Sequence, residues 1–309
     1  MTLDALRSGG KRALAAALAA LERDPDGETA QALLDEAWRI PRGHVVGVTG
    51  PPGVGKSSLC AALVAAWRKQ GWTVGVIAVD PSSKASGGAL LGDRVRIVHD
   101  SADDGSFVRS MAARDRLGGL ADQTLAAMVV MRSLFDRVLI ETVGVGQSET
   151  DVAGVADTVM VCIQPGSGDS LQFMKAGIVE IPHLIAVTKA DLGPAAERAL
   201  ADVAGALSLA VADADWKTRT LAVSSRSGAG MDALMAALED HRAWLGEEGR
   251  LTVARHRQAE GWVIEALRER FGRAGLARLG GRGVDLSLIP GAQPFERLRK
   301  LSSMLEEPR

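Results

Sequence analysis

The chain has 309 residues, 47% of them hydrophobic and 24% charged, with a formal net charge of −2. That length and apolar content support a sizeable core and exclude a disordered or fibrous chain, while the interspersed charges offer no broad basic field to nucleic acid or anionic lipid. The Ala-rich stretch from Arg12 to Leu21 is too short and too weakly apolar to cross a bilayer, and no signal-peptide cleavage pattern accompanies it. A soluble, cytoplasmic protein with no nucleic-acid or membrane partner is the expectation. Cys60 and Cys162 lie in apolar runs and read as buried small side chains, which fits a reducing compartment.

Residues 3–23 and 29–38 read as two helices separated by the breaker Asp24-Pro25-Asp26-Gly27, and they form an N-terminal extension over residues 1–42. From Val45 the pattern changes to short β-branched runs at 45–48, 73–79, 137–140, 158–163, 184–187 and 220–223, alternating with longer helical segments. Near-continuous apolar strands must be covered on both faces, so an α/β fold with a mostly parallel central sheet flanked by helices is predicted over residues 43–246. Ligands of such sheets gather at the carboxyl ends of the strands. A helix at 232–244 closes this unit. An amphipathic stretch follows at 251–271, in which Val253, Trp262, Val263, Ala266 and Leu267 fall near helical spacing. Its apolar side needs a cover, either this chain's own body or a second copy. A final short helix at 295–305 completes a C-terminal region over 247–309.

Between the first strand and the first long helix of the sheet stands Gly50-Pro51-Pro52-Gly53-Val54-Gly55-Lys56-Ser57-Ser58. Glycines let the backbone curl so that successive N–H groups face inward, and the following helix adds its positive end to the same point. With this spacing Lys56 reaches β- and γ-phosphate oxygens and the Ser57 hydroxyl reaches Mg²⁺, the pattern of a P-loop NTPase. A Gly-rich turn that merely joins strand to helix would not require the Lys-Ser pair. Acids are needed near the metal, and three stand after strands or in a Gly-rich segment: Glu141 before Thr142-Val143-Gly144, Asp80 before Pro81, and Asp93 within Gly87–Arg94. The Gly144 N–H is placed to meet the γ-phosphate. Later, Thr188-Lys189-Ala190-Asp191 follows the 184–187 strand. A carboxylate that accepts from guanine N1 and its exocyclic amine rejects adenine, so Asp191 points to GTP. The Lys189 stem can lie along the base, and the backbone N–H groups of Ser224 and Ser225 can support guanine O6.

Glu141-Thr-Val-Gly-Val-Gly-Gln-Ser-Glu149, Asp80-Pro-Ser-Ser83, Gly87–Asp93, Phe107–Gly119 and Pro165–Lys175 together resemble the MeaB/ArgK family of GTPases, over about residues 10 to 270. These proteins accompany cobalamin-dependent acyl-CoA mutases such as methylmalonyl-CoA mutase and are related to the nickel metallochaperones. The resemblance implies a G-domain with GTP or GDP as ligand and Mg²⁺ held by Ser57, Asp80, Asp93 and Glu141. It also implies a signalling segment containing Asp169, Gln172 and Lys175, and a homodimer built through the C-terminal helices. No Asp-x-His-x-x-Gly pattern of a cobalamin binder occurs, so the cofactor is assigned to the partner mutase. Thr188 stands where the family usually carries asparagine. Loss of that amide is expected to untie neighbouring loops and weaken guanine affinity without changing which base fits. Beyond Gly272 the sequence leaves the family pattern.

Phosphoryl transfer asks for positioned charge and an oriented water. Val145 follows Gly144 where Ras-type GTPases carry glutamine, so slow hydrolysis is expected, with Gln147, Lys175 or a partner's group completing the site beside Lys56. Arg94, Arg109 and Arg114 read more simply as ion-paired surface residues. Two rival readings are a nickel metallochaperone, which needs clustered thiolates and imidazoles, and a P-loop kinase for a small basic molecule, which needs an arginine lid. The five histidines, His44, His99, His183, His241 and His256, are scattered in sequence and are expected at loops or strand ends.

Overall fold

The apolar runs form seven strands: β1 (His44–Thr49), β2 (Val74–Asp80), β3 (Ser106–Ala112), β4 (Arg137–Glu141), β5 (Thr158–Ile163), β6 (Leu184–Val187) and β7 (Arg219–Ala222). They pair side by side in the order β3-β2-β4-β1-β5-β6-β7, all parallel. The fold is that of a computed structural model, which describes residues 1–80, 103–112, 122–142, 144, 151–166, 182–210, 215–289 and 291–306. Asp93, Gln147, Asp169, Gln172 and Lys175 lie outside the described residues, as do Arg94 and Arg114.

Every residue of β1, β4, β5 and β6 is buried, as a parallel sheet covered on both faces requires. The helices are α1 (Leu3–Arg23), α2 (Glu28–Arg39), α3 (Lys56–Lys69), α4 (Asp122–Leu134), α5 (Pro194–Ala210), α6 (Met231–Gly246), α7 (Arg250–Gly281) and α8 (Pro294–Glu306). On one face Val46, Val48, Leu139 and Met160 meet Leu59, Leu63 and Trp67 of α3 and Leu234 and Leu238 of α6. On the other, Val45, Val138, Ile140 and Val159 meet Met128 and Met131 of α4, over which Leu14 and Leu18 of α1 and Leu33 and Leu34 of α2 form a further layer. Alternate residues of each strand therefore serve opposite cores.

β3 is an edge strand that the sequence pattern does not announce, because Arg109 and Ser110 break its apolar run. Pairing with β2 makes it a strand, and the Arg109 guanidinium is an ordinary ion pair with Glu22 of α1 at 2.6 Å. At the other end of the chain, α7 breaks at Gly272, whose φ of 67° no L side chain adopts comfortably. α8 then folds back, and Leu298, Leu301 and Leu305 cover Val263, Ala266 and Leu267 of α7. The Phe295 ring lies 5.0 Å from Trp262 of α7 and 6.4 Å from Trp38 of α2. Much of the apolar side of the amphipathic helix is thus covered within the chain, although Val253 is exposed.

His44 and His183 stand at strand ends, as expected, whereas His241 lies within α6, and the three, far apart in sequence, meet at the amino ends of the strands. Because β1 and β5 are neighbours, the Thr158 hydroxyl lies 2.7 Å from both His44 Nε2 and His241 Nδ1, and the His183 ring is 4.2 Å from that of His241. Burial pushes His44 and His183 down from 6.5 to about 4, and His241 to about 2. Beside them, burial alone would raise the Asp157 carboxyl, but the paired hydrogen bonds and charge of Arg255 hold it at about 2. The unfolded chain takes up protons at these imidazoles near pH 6.5 and the folded chain does not, so stability falls as pH drops from about 6.5 towards 4. Each imidazole contributes at most about 1.4 kcal/mol per pH unit. Urea unfolding at pH 7.5, 6 and 5 is expected to show a steadily falling midpoint and a shallower fall in His241→Phe. A midpoint that does not move over that range would contradict the assignment. Asp157 adds to the loss only below about pH 4, as its own carboxylate takes a proton.

Candidate nucleotide site

The carboxyl end of β1 runs directly into the Gly50–Ser58 loop. Gly50, Gly53 and Gly55 all take positive φ values of 136°, 74° and 103°. At Gly50 a Cβ would lie 2.3 Å from the Cys162 carbonyl at the end of β5, so glycine is required for the loop to leave the sheet there. Gly55 is the left-handed residue before α3, whose first turn carries no acid, so the helix's positive end faces the loop unopposed. Pro51 and Pro52 precede the bend, Val54 is buried beneath it, and Ser58 is exposed at the first turn of α3. The buried Lys56 ammonium donates to the Gly50 carbonyl at 2.7 Å and to the Pro51 carbonyl at 3.0 Å, which places it within the curl of the loop.

Ser57 donates from Oγ to Glu141 Oε1 at 2.6 Å. Glu141 is held there because it ends β4 between Val48 of β1 and Ala78 of β2. Asp80 closes β2 two residues beyond that register position. A hydroxyl and a carboxylate oxygen side by side next to a phosphate loop are hard donors, and they suit Mg²⁺ rather than a soft metal. Among the described residues no group of three or more His, Cys, Asp or Glu gathers as a metal cluster. Both cysteines are buried free thiols, and burial pushes Cys162 up to about 12 and raises Cys60 as well, so neither supplies a thiolate. Gly144 comes close to the loop from the β4 side. Its φ is 79°, and a Cβ on it would lie 1.7 Å from the Gly50 carbonyl and 2.6 Å from Lys56 Nζ.

The turn after β6 reaches the same edge. Thr188 is buried and Lys189 follows with φ 57°, a left-handed conformation unusual for lysine. Lys189 Nζ donates to the Gly53 carbonyl at 3.0 Å and to Gln164 Oε1, so its stem crosses the phosphate loop. Asp191 is exposed. Its Oδ1 accepts from Ser224 Oγ at 2.6 Å, and that hydrogen bond holds its carboxyl below the usual range. The backbone N–H of Ser224 donates to Ala229 O at 2.9 Å, so one of the two amides expected to face the base is already engaged within its own turn. Gln164, the partner of Lys189, was not singled out in the sequence, where it is only a polar residue between a strand and Pro165.

A Gly-rich loop between the middle strand of a parallel sheet and a helix, with lysine, hydroxyl and carboxylate gathered at its mouth, defines a P-loop nucleoside triphosphatase. The chain belongs to the methylmalonyl-CoA mutase-associated GTPases, MeaB, whose family model matches residues 13–277. It is a GTPase, a hydrolase that binds guanine nucleotide. It is 38% identical over 263 residues to a Pyrococcus horikoshii protein that carries a GTPase designation, covering 84% of this chain and 82% of that one. It is 34% identical over 271 residues to GTPase ArgK of Escherichia coli, covering 85% and 82%. The mitochondrial methylmalonic aciduria type A homolog of mouse is 36% identical over 228 residues, 72% of this chain and 55% of the mouse protein. Among solved structures, a LAO/AO transport system kinase matches with a TM-score of 0.69 and 27% identity, covering 99% of this chain and 96% of that one. HypB from Helicobacter pylori, at 15% identity and a TM-score of 0.52, shares the fold.

Proposed function

We propose that this GTPase is a G-protein chaperone that gates cofactor loading of, and protects, a cobalamin-dependent acyl-CoA mutase of the methylmalonyl-CoA mutase type. The observation that carries the reading is the span of the MeaB match across the phosphate loop, Glu141 and the Asp191 turn. The name of the mouse relative points the same way. In this reading the loop N–H groups, the α3 amino end and Lys56 bind the triphosphate, and Asp191, steadied by Ser224, selects guanine. Ser57, Glu141, Asp80 and Asp93 would hold Mg²⁺, which when bound neutralises charge on the β- and γ-oxygens. Gly144, carried on the chain that leaves Glu141, registers the γ-phosphate, and the segment containing Asp169, Gln172 and Lys175 relays nucleotide state to the mutase. A homodimer is part of the proposal.

Such a protein hydrolyses GTP slowly alone and faster with its partner. The test is single-turnover hydrolysis of γ-labelled GTP with and without a purified cognate mutase. The label should appear as inorganic phosphate, with the rate raised by the mutase. Label transferred to a small molecule would support a kinase, and a rate indifferent to every cognate mutase would remove the chaperone role.

A further inference from the structure

Thr188 is the first residue after β6, and its hydroxyl has one hydrogen to give. That hydroxyl lies 2.6 Å from the Val54 carbonyl in the phosphate loop and 3.0 Å from the Ile163 carbonyl at the end of β5. Its backbone N–H already donates to the same Ile163 carbonyl at 2.7 Å. The sequence led to the expectation that a threonine here would leave the loops untied. Instead the hydroxyl makes the tie, and in making it uses its only donor. A carboxamide at this position has two N–H groups and could tie the loop with one while offering the other to a base; a hydroxyl pointed at a carbonyl cannot. Lys189, the next residue, adds a second link by reaching Gly53 and Gln164.

We infer that Thr188 is a positioning residue that joins the base-recognition turn to the phosphate loop, and that the base is therefore read from its Asp191 edge with no side-chain donor from residue 188 to purine N7. Two consequences can be separated. Nucleotides that span both loops depend on the tie, whereas pyrophosphate, which touches the phosphate loop alone, does not. A guanine altered at N7 loses nothing at residue 188, whereas a purine lacking the exocyclic amine loses its hydrogen bond to Asp191 and leaves that carboxylate under-satisfied. The inference rests on the reading of this site as a guanine-nucleotide site.

The experiment is calorimetric titration of the full chain with GTP, GDP, 7-deaza-GTP, ITP and pyrophosphate, in the wild type, Thr188→Val and Thr188→Ser. Wild type is expected to bind 7-deaza-GTP within about threefold of GTP and ITP at least about tenfold more weakly. Thr188→Val, which keeps the shape and removes the donor, should weaken GTP and GDP about tenfold, leave pyrophosphate unchanged and raise KM for GTP more than it lowers kcat. Thr188→Ser should restore affinity to within about threefold. General damage to the fold would depress pyrophosphate binding together with nucleotide binding, and serine would not rescue it. A loss of about tenfold or more with 7-deaza-GTP, or a folded Thr188→Val with unchanged GTP affinity, overturns the inference. Failure of the wild type to bind GTP at all strikes the guanine-site reading instead.

Discussion

Lys56→Ala is expected to lower kcat/KM for GTP about a thousandfold, a loss of about 4 kcal/mol of transition-state stabilisation. The size follows from where the ammonium sits. It is buried within the phosphate loop at 2.7 Å from the Gly50 carbonyl, in a place where water screens it poorly. The charge that develops on the β- and γ-oxygens has no other described lysine within the loop to meet it. Because the Lys56 ammonium bonds to the Gly50 and Pro51 carbonyls of the phosphate loop itself, the fold should survive, with a melting temperature close to that of the wild type. Steady-state phosphate release measures the effect. More than about a tenth of wild-type activity in the variant would mean that catalysis does not pass through this lysine.

Gly144→Ala should be nearly as damaging, for a steric rather than an electrostatic reason. The added carbon would lie 1.7 Å from the Gly50 carbonyl and 2.6 Å from Lys56 Nζ, and the φ of 79° is already unfavourable for an L side chain by about 1–2 kcal/mol. Something must shift, and both neighbours belong to the phosphate loop. Hydrolysis is expected to fall at least about a hundredfold. Binding of a non-hydrolysable GTP analogue should suffer more than binding of GDP, since Gly144 sits on the Glu141 side, where the terminal phosphate arrives in the proposed reading. Fluorescence titration of the two nucleotides checks this. Equal weakening of both would assign Gly144 to the loop's integrity and not to sensing the third phosphate.

The phosphate loop was legible because its chemistry is local: glycine, lysine and serine within a few residues, between a strand run and a helix run, leave little for tertiary structure to decide. The same holds for β1 and β5, whose apolar runs are long enough to be strands wherever they fall. β3 was not legible, because Arg109 and Ser110 spoil its pattern and only the β2 partner and the Glu22 ion pair make it an edge strand. The histidine cluster could not have been read, since it exists only because β5 lies between β1 and β6 and α6 packs against them, which are properties of strand order and packing. Thr188 lies between these cases. Its position in the turn after β6 was visible, but the carbonyl its hydroxyl would find was not, and so the sequence suggested a lost tie where a different one is made.

The return of α8 onto α2 has a consequence for biosynthesis. Phe295 inserts beside Trp38, and Arg299 reaches Asp35 at 2.7 Å, so the seam over helices made among the first 39 residues is sealed by residues made after the 294th. A ribosome that has released the whole sheet still holds back the piece that completes its outer layer, and the opening helices must wait, partly uncovered, for the closing one. Nascent chains stalled before residue 294 should accordingly be protected from protease at the sheet yet cut readily within α2, with resistance there arriving only once α8 has emerged.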